Sequence, residues 1–321
     1  MRRVLIVLLA LIAMVGAAAA GLWRAYDAPG SSAGPVIAQV PRGGVDAVAS
    51  SLARAGLIAP GPIFPAAVAL TRSSGTLHAG EFEFPAQASL RQVLAVLRAG
   101  RAIQHKLTVA EGLTAIQIGA LLNAAPALDG PPAEIIEGLF LPETYVFERG
   151  TLRTTIAQRA RTAMERALDR AWQGRRQNLA VQTPAELLTL ASIVERETAR
   201  PDERPRVSAV FHNRLRQRMK LQSDPTTIYA ISRSGVLDHA LTRAELDRDD
   251  PYNTYRAPAL PPGPICMPGV LSLMAAARPD DAADLYFVAD GTGGHAFAPT
   301  QEQHLRNVAR WRDIERQRAS K

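Results

Sequence analysis

Glu195 is the residue of this chain best placed to do chemistry, because its carboxylate falls inside the apolar stripe of a sharply bounded helix. At about 100° per residue, Leu188, Ala191, Ser192 and Glu195 share one face, and Glu197 is turned about 200° away from Glu195. A carboxyl on a buried face loses hydration, which disfavours its charged form. Its pKa can then rise from about 4.3 toward roughly 6 to 7, where it donates a proton at neutral pH. Glu197, on the other side, is expected to stay ionised. The bland reading is that Glu195 is a boundary glutamate whose stem packs while its head reaches water or an arginine.

The helix that must position Glu195 has a legible start. Thr183 caps, Pro184 takes the first helical position, and Glu186 completes a T-x-x-E capping box. Two more capping boxes, Ser89 with Gln92 and Thr114 with Gln117, open helices that end at Gly100 and at about Asn123. Apolar residues at Ile156, Ala160, Ala163, Met164, Ala167, Leu168, Ala171 and Trp172 predict a long amphipathic helix stopping at Gly174. VIAQV at 36–40 reads as a strand, followed by a helix carrying Val45, Val48 and Leu52 and ending at Gly56. LPPGPICMPG at 260–269 must be a loop, since its prolines and glycines forbid a regular helix or central strand. Tyr286 to Ala289 reads as a strand entering a glycine turn with His295 beyond it.

With 321 residues, 47% hydrophobic and 21% charged, the chain is long enough for two domains and ordinary for a globular protein. Residues 4–23 are uncharged and follow Arg2 and Arg3; at 1.5 Å per residue they span a hydrocarbon core of about 30 Å. An uncleaved membrane anchor is expected, and the small residues Ala17 to Ala20 keep a cleaved signal peptide as the alternative. Arg2 and Arg3 outweigh Arg24 and Asp27, so the positive-inside rule puts the N-terminus in the cytoplasm and exports the rest. The net charge of +7 does not point to nucleic acid, because the arginines are scattered over many helices and no nucleic-acid-binding motif appears. Cys266 is the single cysteine, and the six histidines show no ligand spacing. No metal and no cofactor are expected.

Five ordered blocks carry a resemblance: IVERET, VFHNRL, LQSDPTTIYA, the run at 250–269 and LYFVADGTGGHAF at 285–297. With Glu137, Gly138, Pro142 and Tyr145 in EGLFLPETYVF, they resemble the endolytic murein transglycosylase (YceG-like) family over nearly the whole chain. The departures are Glu143 where aspartate is commoner, and Cys266 in place of a small residue. The resemblance implies a lytic transglycosylase that cuts MurNAc-GlcNAc bonds inside nascent peptidoglycan strands and leaves 1,6-anhydro ends, with Glu195 as its catalytic acid. A hydrolytic muramidase, with Asp224 or Asp290 as second carboxylate, and a non-catalytic wall-binding scaffold are the alternatives. The implied partners are glycan strands and a penicillin-binding protein synthase, in the bacterial inner membrane with the catalytic domain in the periplasm.

The expected fold is α+β. A cytoplasmic tail (1–3), a transmembrane anchor (4–24) and a Pro/Gly/Ser linker (25–35) lead to a LysM-like module (36–104) and a mixed α+β catalytic domain (105–321). Around Glu195, the groups expected to line a sugar-binding cleft are Asn213, Arg214, Gln222, Asp224, Tyr252, Asn253, Thr254, Tyr255 and His295. Their amides, guanidinium, carboxylate and aromatic faces suit hydroxyls, N-acetyl groups and sugar rings.

Overall fold

A computed structural model describes residues 2–319. Met1 of the expected tail, and Ser320 and Lys321 at the other end, lie outside the described residues. The chain is mixed α+β and divides into two units. One comprises the residues through His105 together with Val146–Gly150, and the other comprises Lys106–Tyr145 and the chain from Thr151 onward. The unit boundary therefore falls at His105/Lys106, and the five residues from Val146 belong with the N-terminal unit, a return of the chain that local periodicity does not reveal.

The N-terminal unit begins with α1 (Arg2–Asp27), longer than the expected span of 4–24. Its segment Ile6–Asp27, of mean hydropathy 2.4, is the one described helix long and apolar enough to cross a membrane. After it come β1 (Val36–Val40), α2 (Val45–Arg54), α3 (Ile63–Leu70), β2 (Gly80–Phe84) and α4 (Leu90–Ala99). β1 and β2 pair antiparallel, Val36 opposite Phe84 and Val40 opposite Gly80. Alternation turns Ala38, Val40, Phe82 and Phe84 inward against Val48 and Leu52 of α2, Phe64 of α3 and Val93, Leu94 and Leu97 of α4, which form one apolar core. Below this core, Glu81 is buried and receives hydrogen bonds from His105 and Arg149, which hold its carboxyl below the usual range against the opposing effect of burial.

β3 (Gln104–Thr108) and β5 (Thr144–Glu148) each begin in one unit and end in the other. Between them lie α5 (Ala115–Ala124) and β4 (Leu128–Asp129). The second unit continues with β6 (Thr151–Leu152), which pairs parallel with β4, then α6 (Arg153–Gln173), α7 (Pro184–Glu197), α8 (Arg204–Arg216), α9 (Asp224–Ile231) and α10 (Arg243–Leu246). It ends with α11 (Val270–Ala277), the hairpin of β7 (Tyr286–Ala289) and β8 (His295–Ala298), and α12 (Gln301–Ala319). The capping boxes of α4, α5 and α7 are all formed.

At the centre stands α7, packed by α6, α8, α9 and α11. Every residue from Leu187 to Val194 is buried, so this helix has no solvent face over two turns. Fully burying each leucine, isoleucine or valine there contributes about 1.5 to 3 kcal/mol. Its last turn, from Glu195 to Glu197, emerges from this enclosure.

Candidate active site

Glu195 ends the buried run of α7 with its side chain only 4% exposed. One carboxylate oxygen, Oε2, accepts the Gly269 backbone N–H at 2.9 Å, and Oε1 pairs with Arg204 Nη2 at 2.9 Å. Arg204 comes from the start of α8, is itself buried, and reaches Glu111 Oε2 at 3.2 Å with the same nitrogen. Burial raises the Glu195 pKa. The Gly269 N–H, Ser272 and Arg204 oppose that rise, and the Glu111 charge adds to it. The result is a carboxyl that holds a proton more tightly than a free glutamate and sits beside a fixed cation, as a general acid requires.

Three loops hold this arrangement. Residues 260–269 form no regular element, as their prolines require, and clasp α7 through Ile265 N–H donating to Ser192 Oγ at 3.0 Å. Cys266 donates to the Ser192 carbonyl at 3.3 Å; its thiol is buried, and burial with the nearby Glu195 charge pushes its pKa well up, so it is no nucleophile. The Glu111 loop is stitched to the Cys266 loop in both directions, by Gly112 N–H to the Met267 carbonyl at 2.9 Å and Met267 N–H to the Leu113 carbonyl at 2.8 Å. Glu137 braces the start of α5, accepting the Ala115 N–H at 3.1 Å and the Tyr229 hydroxyl at 3.1 Å, and burial raises its pKa. Gly138, at φ +78°, lies so close to Pro264 that a Cβ would stand 2.5 Å from its Cγ, so a side chain there would displace the loop.

Glu197 differs from expectation. Instead of an ionised glutamate facing water, it is only partly exposed and accepts the Ser223 hydroxyl. Its pKa is raised to about 7, first by burial and then by the like charge of Asp224, against the Ser223 hydrogen bond and the charges of His295 and Arg214. The 200° separation on the helix is real, but α7 is enclosed from several sides, so the face opposite Glu195 is also covered.

The remaining expected site residues fall into two groups. Asn213, Arg214, Asn253 and Thr254, expected to line a sugar site, make hydrogen bonds within the protein itself. Asn213 Nδ2 donates to the Ala282 and Asp284 carbonyls at 2.7 and 2.9 Å, and Arg214 donates to the Leu285 and Leu221 carbonyls at 2.7 Å. Asn253 is wholly buried between the Thr227 hydroxyl and the Leu246 and Arg248 carbonyls, and Thr254 Oγ1 accepts the Ser223 N–H at 3.0 Å. In contrast, Gln222 and Asp224 are exposed, and Tyr252 and Tyr255 are half-buried. Tyr255 donates its hydroxyl to Asp224 at 2.6 Å, and Tyr252 sits under the Arg233 guanidinium, 4.4 Å from its carbon to the ring centre. His295 is held by Glu203, which accepts its backbone N–H at 3.0 Å and meets its Nδ1 at 2.7 Å. Asp290 turns its carboxylate onto the Thr292 and Gly294 N–H groups of its own loop. Sequence reasoning missed Arg204 and Glu111. Their signals, R-P-R after the Glu195 helix and E-G-L-T before a capping box, carry no helical period that ties them to Glu195.

The site is thus a buried carboxyl on a central helix, facing an arginine presented by the next helix. The chain matches the YceG-like family over residues 38–310 and belongs to it. A protein of Streptococcus pneumoniae named endolytic murein transglycosylase is 35% identical over 196 residues, which is 59% of this chain and 34% of that protein. One of the same name from Bacillus subtilis is 40% identical over 119 residues, 37% of this chain and 32% of that protein. The matched segments thus span about a third of the length of these relatives. The structure resembles that of a yceG-like protein of Listeria monocytogenes, with a TM-score of 0.52 and 26% identity, covering 86% of this chain and 99% of that one.

Proposed function

We propose that this protein is an endolytic murein transglycosylase in which Glu195 serves as both acid and base. The observation that carries the reading is the protonated-leaning Glu195 carboxyl, buried and fixed between the Gly269 N–H and Arg204, in a chain of the YceG-like family. In the first step Glu195 gives its proton to the glycosidic oxygen as the bond from the muramyl C1 breaks. The Glu195 carboxylate so formed then takes the proton of the muramyl C6 hydroxyl, whose oxygen closes onto C1 as a 1,6-anhydro bridge. No water enters, and the enzyme ends in its starting protonation state. Since the nucleophile belongs to the substrate, the protein needs only to position it and to stabilise charge. Tyr252, Tyr255, Gln222 and Asp224, with surface left free, are the groups of the expected set suited to sugar contact.

The strand, two helices and strand from β1 to β2 support a LysM-like module in the N-terminal unit. The apolar α1 supports a single-pass anchor in the inner membrane, and the charges of Arg2 and Arg3 favour a cytoplasmic N-terminus with the catalytic unit in the periplasm. Glycan strands are the substrate in this reading, and a penicillin-binding protein synthase that makes them is the fitting partner. The test is to digest purified glycan strands with the full chain in detergent and weigh the products. Anhydro ends, lighter by one water than hydrolysed reducing ends, are expected. Reducing ends would favour a muramidase, and binding without products a scaffold.

A further inference from the structure

Arg204 Nη2 is shared between two carboxylates, Glu195 Oε1 at 2.9 Å and Glu111 Oε2 at 3.2 Å. Its Nε and Nη1 are buried and have no acceptor among the described residues, so these two oxygens are its only polar partners there. One cation thus faces two potential anions. Glu111 is also kept close by the backbone. Its loop is bonded to Met267 on both sides, and Arg196 ties Gly112 to Gly235 through their carbonyls at 3.4 and 3.0 Å. The Glu111 carboxylate lies directly over Gly269, where a Cβ would stand 1.7 Å from its Oε1. Gly269 is the residue whose N–H binds Glu195, so one glycine orients one glutamate and makes room for the other.

We propose that Glu111 is a positioning residue for Glu195: by drawing on the same Arg204 nitrogen it prevents the arginine from fully stabilising the Glu195 carboxylate, and so keeps Glu195 a proton donor at neutral pH. Charge balance carries the argument. With Glu111 ionised, the Arg204 charge is already partly neutralised, and a second full negative charge at Glu195 would be poorly compensated in a buried setting. The Glu111 side chain is 40% exposed, against 4% for Glu195, so the two carboxylates meet the same nitrogen from different surroundings. The two groups share one nitrogen, and the Glu111 charge adds to the rise that burial imposes on the Glu195 carboxyl. Among the described residues, the Cys266 thiol also lies near the Glu195 charge, and Arg196 on the same helix turns its guanidinium to the Gly112 and Gly235 carbonyls.

The inference rests on Glu195 being the acid, and its test separates the two ideas. Carboxyl titration by infrared difference spectroscopy or carbon-13 NMR of the full chain, with Glu195→Gln to assign the signal, reads the Glu195 midpoint whether or not the chain cleaves glycan. Glu111→Gln should lower that midpoint, since Arg204 then serves Glu195 alone. The alkaline limb of the cleavage rate should shift to lower pH with it, while activity at acid pH is retained. Glu111→Asp should restore most of the wild-type profile. Gly269→Ala should reproduce the Glu111→Gln shift by pushing the flexible Glu111 carboxylate aside. An unmoved midpoint in Glu111→Gln would overturn the proposal. So would a loss of activity uniform across pH, which would make Glu111 either a mere structural prop or a second catalytic carboxylate. A shifted midpoint in a chain that releases no products would uphold the coupling and sink the transglycosylase reading instead.

Discussion

Glu195 and Glu197 stand two residues apart on one helix, both removed from water, and yet their surroundings differ in kind. Glu195 meets a backbone N–H and a buried guanidinium, groups that stabilise a carboxylate and can therefore stabilise the charge that appears when it donates a proton. Glu197 meets a serine hydroxyl and has the like charge of Asp224 nearby, with no cation at hydrogen-bonding distance among the described residues. The first environment allows both protonation states at moderate cost, as a group that must give and retake a proton requires. The second raises the carboxyl to about 7 without pairing it to a cation. Burial is common to both and so cannot by itself mark an acid that turns over; the directly paired guanidinium of Arg204 is what separates Glu195 from Glu197, on which the His295 and Arg214 charges act without an ion pair.

The largest test of this contrast is Glu195→Gln against Glu197→Gln. General acid–base catalysis contributes about 10² to 10⁴-fold, so Glu195→Gln should reduce glycan cleavage by that factor while leaving thermal unfolding close to wild type, because the amide keeps the shape and the Gly269 contact. Glu197→Gln should stay within about tenfold of wild-type activity, the lesser range expected of a group that transfers no proton. Equal losses from both would erase the distinction between the two sites.

Stability should reverse the order. The Glu197 pKa is about 7 in the folded chain and near the ordinary 4.5 when unfolded, so between those values the folded state binds more protons. Stability is therefore greatest below about pH 4.5 for this group and falls as pH rises to 7, by up to about 3 kcal/mol. Glu197→Gln removes that dependence. Urea unfolding should find the variant similar to wild type at pH 5 and more stable at pH 8. A variant that tracks wild type at both pH values would show that Glu197 is ionised in the fold.

These differences mark where sequence reasoning reached and where it stopped. The start of α7, its capping box and the placement of Glu195 on a buried face were legible because each is set by residues within four positions. The three capping boxes, the 260–269 loop and the strand at Tyr286 were legible for the same reason. The fate of Glu197 was not, since a helix pattern tells which face is apolar but not how many neighbours enclose the helix. Glu111 lies 84 positions before Glu195, and tertiary contacts of its loop with Met267, Arg196 and Arg204 bring it near. Asn253 and Thr254 show the converse: polar residues in a promising block became internal hydrogen-bond partners because α9 and its flanking loop enclose them. Helix α3 and strand β2 were missed because the first is apolar on nearly all sides and the second alternates over only five residues.

The smallest expected effect is the sharpest probe of the Glu197 site, because two adjacent residues should move its titration in opposite directions. Ser223 donates a hydrogen bond to the Glu197 carboxylate and favours its ionised form; Asp224, exposed and bonded to Tyr255, opposes that form by like charge. Ser223→Ala should therefore raise the Glu197 midpoint above about 7, and Asp224→Asn should lower it. The Asp224 effect should be the lesser of the two, because an exposed charge is screened by water and salt at a Debye length of about 8 Å under physiological conditions. Raising the salt concentration should shrink the Asp224→Asn shift and leave the Ser223→Ala shift nearly unchanged. If both substitutions move the midpoint the same way, Glu197 is responding to a general loosening of the α9 start, and the two contacts do not set its proton affinity.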